Sequence, residues 1–451
     1  MTDHLRTLFE FLRFPSVSTD STRADAVRDC AAWLDRKLKQ IGLKSEIHQT
    51  PGHPVVVARN GERLVGRPTV LIYGHYDVQP EDPIDLWHSD PFEPELRDGI
   101  IYARGATDNK GQLLAHVLGV AETIEQEGEL PVNLIFLFEG EEEVGSPNLE
   151  NFLREHATEL ACDVVAVSDT GMVGPGVPTF TYGLRGISCL EVDIVGPSAD
   201  LHSGVWGGAV ANPASVIARL AASLHDAQGR VAIPGFYDRV TPLEDWERQA
   251  WADLPWTDEE TLQHTGASAL VGEPGFSELE RRWARPTAEI NGIGSGYQGE
   301  GSKTIIPARA HLKISFRLVP EQDPAEILDL AEAHLRAQHH EGVTLSIERG
   351  HSGSAYLMDP HCGWGKAAQL ALAETFSGTE PALIREGGSI PIVQTFKDVL
   401  GADTLLLGLA LPDCQIHAPN ENFPVENFEA GIRLNRSLLR CLADGFGDAA
   451  R

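Results

Sequence analysis

The sequence has no C-x-x-C pair, although it holds six cysteines, Cys30, Cys162, Cys189, Cys362, Cys414 and Cys441. A thiolate zinc site and a thioredoxin-type redox motif are therefore disfavoured. Thiols scattered this way suit reduced, packed side chains in a cytoplasmic protein. No stretch approaches the roughly 18 consecutive apolar residues of a membrane span. The longest runs, such as residues 132–138 with one Asn inside, have the length of a buried strand. Met1-Thr2-Asp3-His4 opens an amphipathic pattern, not a basic segment followed by an apolar run, so neither export nor a membrane partner is expected. Positive charge is scarce: 36 Lys and Arg stand against 66 Asp and Glu, a formal net charge of −30. Nucleic acid and anionic lipid would be repelled by that field, so neither is expected as a partner.

What remains is an ordinary globular composition, 42% hydrophobic and 23% charged, in a chain long enough for about two to four domains. Residues 5–12 and 26–41 carry apolar positions at helical spacing, and Pro15 follows the first. Residues 54–58, 69–76, 132–138 and 163–167 read as strands, and 111–126 as a helix. Strands alternating with helices indicate an α/β unit with a largely parallel sheet. From about residue 186 the pattern changes. Residues 187–195, 311–318 and 343–348 alternate as half-exposed strands, with helices at 213–224 and 324–338. A β-α-β-α-β order of this kind suggests a small α+β domain with one solvated face. Residues 228–301, rich in Trp, Pro and Gly, read as an insertion in it. After residue 353 the α/β character returns, with helices at 365–376 and after Pro391 and a strand at 404–409. The expected organisation is a catalytic domain over 1–185 and 353–451, interrupted by a lid domain over 186–352.

Five polar segments follow predicted strands or precede a predicted helix. Gly74-His75-Tyr76-Asp77-Val78 puts His75 and Asp77 on one strand face. A carboxylate there can fix the tautomer of a metal-binding imidazole; a plain strand-end hydrogen bond is the alternative. In Arg104-Gly105-Ala106-Thr107-Asp108-Asn109-Lys110-Gly111 the ordinary reading of Asp108 is a helix N-cap. In Glu139-Gly140-Glu141-Glu142-Glu143-Val144-Gly145-Ser146 like charges crowd directly after a buried strand. They raise one another's pKa unless a cation neutralises them, and an acidic helix start is the alternative. Ser168-Asp169-Thr170-Gly171 and Ile416-His417-Ala418-Pro419-Asn420-Glu421 complete the set. Each alone is weak. Together they would place two imidazoles and three carboxylates at the carboxyl edge of one parallel sheet. That donor set suits a pair of Zn²⁺ or Mn²⁺ ions about 3.5–4 Å apart with one bridging carboxylate.

These segments resemble the co-catalytic dinuclear metallopeptidase family of aminoacylase, acetylornithine deacetylase, succinyl-diaminopimelate desuccinylase, glutamate carboxypeptidase and the cytosolic dipeptidases. The dipeptidase and carnosinase branch is the most similar. Its marks are Gly74 through Pro80, the acidic segment Glu139 through Ser146, Asp200-Leu201-His202-Ser203-Gly204 and Gly301-Ser302-Lys303-Thr304-Ile305-Ile306-Pro307. Ser315-Phe316-Arg317-Leu318-Val319-Pro320 and Arg385-Glu386-Gly387-Gly388-Ser389-Ile390-Pro391 add two more. The resemblance implies a zinc-peptidase-like catalytic domain and a ferredoxin-like lid and dimerisation domain. It implies two divalent ions, zinc or manganese, one on His75, Asp108 and Asp169 and one on Asp108, Glu143 and His417. Asp108 would bridge them and Asp77 would orient His75.

Glu142 is the implied general base, because base and ligand precede Val144-Gly145-Ser146 in the family's pattern. It would take a proton from an activated water and return it to the leaving amine. His202 would stabilise the oxyanion from the partner copy of a homodimer. Arg317, with Gly388 and Ser389, would bind the C-terminal carboxylate of a small peptide; without the resemblance Arg317 reads as an exposed strand charge. Glu141 departs from the pattern as a third consecutive acid. The expected activity is metal-dependent hydrolysis of dipeptides or short peptides. An N-acyl-amino-acid deacylase or desuccinylase, or a metal-free binding protein on the same fold, are the alternatives.

Overall fold

A computed structural model describes residues 2–338 and 341–449. The chain forms two compact units. The first takes the residues up to Tyr182, Met358–Ile384 and the residues from Ile392 onward; the second takes Gly183–Leu357 and Arg385–Pro391.

In the first unit, strands lie in the order Lys44–His48, Val55–Arg59, Asn133–Glu139, Thr69–His75, Val164–Val167, Asp403–Leu406 and Thr179–Leu184. Asn133–Glu139, Thr69–His75, Val164–Val167 and Asp403–Leu406 run parallel, and the flanking pairs are antiparallel. The parallel strands are buried almost throughout, which is why they read as continuous apolar runs. The helices Lys110–Glu127, Gly363–Thr375 and Val425–Ala449 pack in this unit. A Cβ at Gly119 would lie 2.8 Å from the Ile432 carbonyl oxygen, so the first and last of these approach closely where a side chain is missing.

The second unit is a four-stranded antiparallel sheet in the order Thr287–Ser295, Arg309–Leu318, Gly186–Val195, Thr344–Gly353. With the helices Pro213–Ala222 and Pro324–Ala337 this is the β-α-β-β-α-β ferredoxin-like arrangement. Gly186–Val195 and Arg309–Leu318 alternate between buried and open positions. Leu190, Val192, Ile194, Leu312 and Ile314 join Val216, Ile217, Ile327 and Leu335 from the helices in one core. One expectation needs correction. The strand Thr287–Ser295 falls inside the stretch read as an insertion. It is an edge strand with mostly open side chains and a bulge between Ile290 and Gly292, so it leaves no alternating pattern. The rest of that stretch holds the helices Asp245–Ala252, Asp258–Thr265 and Glu278–Ala284, each begun by a capping box. Among the described residues no helix is long and apolar enough to cross a membrane.

Candidate metal centre

The parallel strands explain the convergence. Asn133–Glu139, Thr69–His75 and Val164–Val167 are neighbours pointing the same way, with His75 opposite Glu139 and Tyr73 opposite Val167. Whatever follows these strands emerges at one edge, where open α/β sheets bind ligands. His75 ends its strand, Glu142 and Glu143 form a short 3₁₀ turn just after Glu139, and Asp169 lies two residues beyond Val167. Asp108 sits ahead of the helix Lys110–Glu127. It is not the N-cap: Asn109 holds that position and makes no side-chain capping bond. The Asp108–Asn109 peptide is cis. His417 comes from a loop in which Gln415, His417 and Asn420 have positive φ.

Two triads result, His75 with Asp108 and Asp169, and Asp108 with Glu143 and His417. In each, ligand atoms lie within 4.8 Å of one another. The carboxylate of Asp108 divides between them. Its Oδ1 is 3.0 Å from His75 Nε2, and its Oδ2 is 2.8 Å from His417 Nε2. Asp169 Oδ1 lies 3.6 Å from His75 Nε2, and Glu143 Oε2 lies 3.3 Å from His417 Nε2. Asp77, fully buried, places Oδ1 3.3 Å from His75 Nδ1. The same carboxylate accepts the amides of Glu142 and Glu143 at 3.2 and 3.1 Å, so it fixes the acidic turn as well as the imidazole.

The electrostatics are those of carboxylates crowded at a largely buried sheet edge. Burial lifts the Glu142 carboxyl well above its usual range, helped by the charges of Asp169, Glu143 and Asp108. Burial and the Asp108 charge lift Glu143 to about 7, and burial also raises Asp169. Burial works against a charged His75, yet Asp169, Asp108 and Asp77 hold its pKa well above the usual value. Hydrogen bonds to Asp108 and Glu143 push His417 up to about 10. Burial opposes ionisation of Asp108, but the His417 and His75 hydrogen bonds bring its pKa below that of an ordinary aspartate. Glu143 Oε1 is buried and has no hydrogen-bond partner among the described residues. Imidazole and carboxylate donors around an orphaned carboxylate oxygen fit divalent cations such as Zn²⁺ or Mn²⁺.

Glu141 turns to a different neighbour: its carboxylate accepts two contacts from Asn148 Nδ2, at 2.9 and 3.1 Å. His202, Arg317, Gly388 and Ser389 belong to the second unit. His202 is exposed in a two-residue strand, and its Nδ1 accepts the Gly204 amide at 3.0 Å. Arg317 Nη1 donates to Ser389 Oγ at 2.9 Å, and Gly388 is open beside it. Sequence reasoning expected a cis peptide at Asp108–Asn109 but assigned no side-chain role to Asn109 or Gln79. Asn109 Nδ2 donates to Asp169 Oδ1 at 2.7 Å and to the Ser168 carbonyl. Gln79 Nε2 donates to Glu143 Oε2 at 2.7 Å. The only available signal was their place beside His75 and Asp108 in the quoted segments.

Fold and donor set together define the class of metal-dependent hydrolases built on an α/β sheet. The chain belongs to the family described as Peptidase family M20/M25/M40, whose model matches residues 71–440. It is 34% identical to the Cys-Gly metallodipeptidase DUG1 of Saccharomyces cerevisiae, over 96% of this chain and 94% of that one. It is 33% identical to the human Beta-Ala-His dipeptidase, over 94% of this chain and 83% of that one. A solved M20 family metallo-carboxypeptidase, Sso-CP2 from Sulfolobus solfataricus, matches 98% of this chain and all of its own. The TM-score is 0.87 at 33% identity.

Proposed function

We propose that this protein hydrolyses dipeptides with two divalent metal ions, one on His75, Asp108 and Asp169 and one on Asp108, Glu143 and His417. The observation that carries the reading is the Asp108 carboxylate, whose two oxygens face the two different imidazoles. Metal ions held there would supply Lewis-acid activation of a water and of the scissile carbonyl. Glu142, on the same turn as Glu143, takes the proton from the attacking water and delivers it to the leaving amine. Burial raises its pKa above that of an ordinary glutamate. Asp77 and Asn109 keep His75 and Asp169 in place. Arg317 and Ser389 receive the substrate carboxylate, for which a guanidinium fork is well shaped, and His202 of a second copy donates to the oxyanion. The free thiols are consistent with a cytoplasmic setting.

The dipeptide reading is favoured over an acyl-amino-acid substrate by the similarity to two proteins named as dipeptidases. Assays on Cys-Gly, β-Ala-His and acetyl- and succinyl-amino acids separate the two; activity confined to the acylated compounds would reject the dipeptide. Glu142→Gln is expected to keep its metal and lose turnover by about 10²–10⁴-fold. Retained turnover would remove Glu142 as the base.

A further inference from the structure

We infer that Glu421 is a positioning residue that clasps the loop of Asp108 to the loop of His417, and so sets both metal triads. The inference rests on the metal-site reading above. Glu421 is four residues beyond His417 and completely buried. Its Oε1 accepts the backbone amides of Thr107 at 2.9 Å and Asp108 at 3.0 Å. Its Oε2 accepts the Gly105 amide at 2.8 Å and Arg104 Nη1 at 2.9 Å. One carboxylate thus receives four donors, three of them consecutive or near-consecutive amides of the strand-to-helix loop that ends in Asp108.

Arg104, itself 1% exposed, anchors the other side by donating from Nη2 to the Pro80 carbonyl at 3.0 Å. Two further bonds tie the same loops: Ala103 N to Glu421 O, and Thr107 Oγ1 to Asn422 O at 2.6 Å. The His417 loop needs such an anchor. Gln415, His417 and Asn420 are non-glycine residues in left-handed backbone conformations, which persist only where surrounding contacts over-determine them. A glutamine at 421 could not reproduce the site. Its amide nitrogen would face two donors, two of the four bonds would be lost, and Arg104 would keep a buried charge without its counter-charge. Second-layer groups of this kind typically change metal affinity about 10–100-fold.

The test uses metal-stripped full-length protein and measures Zn²⁺ binding by chelator competition, with thermal melting to confirm the fold. Backbone hydrogen exchange over residues 105–108 is followed in parallel. Glu421→Gln is expected to weaken zinc binding at both sites by about 10–100-fold, to speed exchange at Gly105, Thr107 and Asp108, and to alter the visible spectrum of the Co²⁺-loaded protein. Glu421→Asp, which keeps the charge but is one methylene short, should weaken binding less, and it decides the matter if the glutamine variant does not fold. The exposed control Glu429→Gln should bind as the unmodified protein does. Unchanged zinc affinity in a folded Glu421→Gln or Glu421→Asp variant would overturn the role of Glu421 alone. Unchanged affinity in Asp108→Asn, or no zinc binding by the unmodified chain, would overturn the metal site and this inference together.

Discussion

At the scale of single residues, three adjacent acids do three different things. Glu141 is buried against Asn148, Glu142 stands in the turn as the proposed base, and Glu143 reaches His417. Adjacent side chains in a tight turn diverge, so charge alone could not tell them apart in the sequence; the proposed assignment of Glu142 as base rests on the glycine and serine that follow. Glu141→Gln keeps an acceptor for Asn148, so turnover should stay close to that of the unmodified enzyme. A kcat as low as that expected of Glu142→Gln would transfer the base to Glu141. The proposed ligand residues stood out in the sequence because each follows a recognisable apolar strand or sits in a Gly-rich turn. Glu421 and Asn109 were not. The bonds of Glu421 join positions 313–317 residues apart, and a buried side chain paired with distant backbone leaves no local pattern.

At the scale of elements, buried parallel strands announced themselves through continuous Val, Ile, Leu and Phe. The longest helix, Val425–Ala449, did not. It contains Gly431, Gly445 and Gly447, and glycine lowers helix propensity by about 1 kcal/mol per residue. Tertiary packing overrides that: a Cβ at Gly431 would lie 2.5 Å from Leu409 Cδ1 and 3.0 Å from Ala115 Cβ. Where this helix meets Lys110–Glu127, His116 is fully buried beside Asn435, and burial lowers its pKa to about 4. Between about pH 6.5 and 4 the unfolded chain therefore binds a proton that the folded chain refuses. Stability should fall as pH drops through that window. His116→Leu should flatten that decline relative to the unmodified protein in urea titrations at stepwise pH. An identical slope in both proteins would show that His116 does not carry it.

For the whole molecule, the division into two units follows from the change of sheet type: near-continuous apolar strands in one, alternating strands in the other. The exposed His202 and the Arg317–Ser389 pair both lie in the unit that does not contain the metal triads. If His202 serves the site of a second copy, inactive His202→Ala dimers mixed with inactive Glu142→Gln dimers should regain activity on subunit exchange. Heterodimers that form and stay inactive would show that it does not act in trans. The central claim is narrower than this, and metal counting tests it most directly. After zinc loading and removal of excess ion, elemental analysis should find two metal ions per unmodified chain. His417→Ala should hold one, because His75, Asp108 and Asp169 remain intact. A count of zero in the unmodified chain, or of two in His417→Ala, would contradict a pair of ions shared through Asp108.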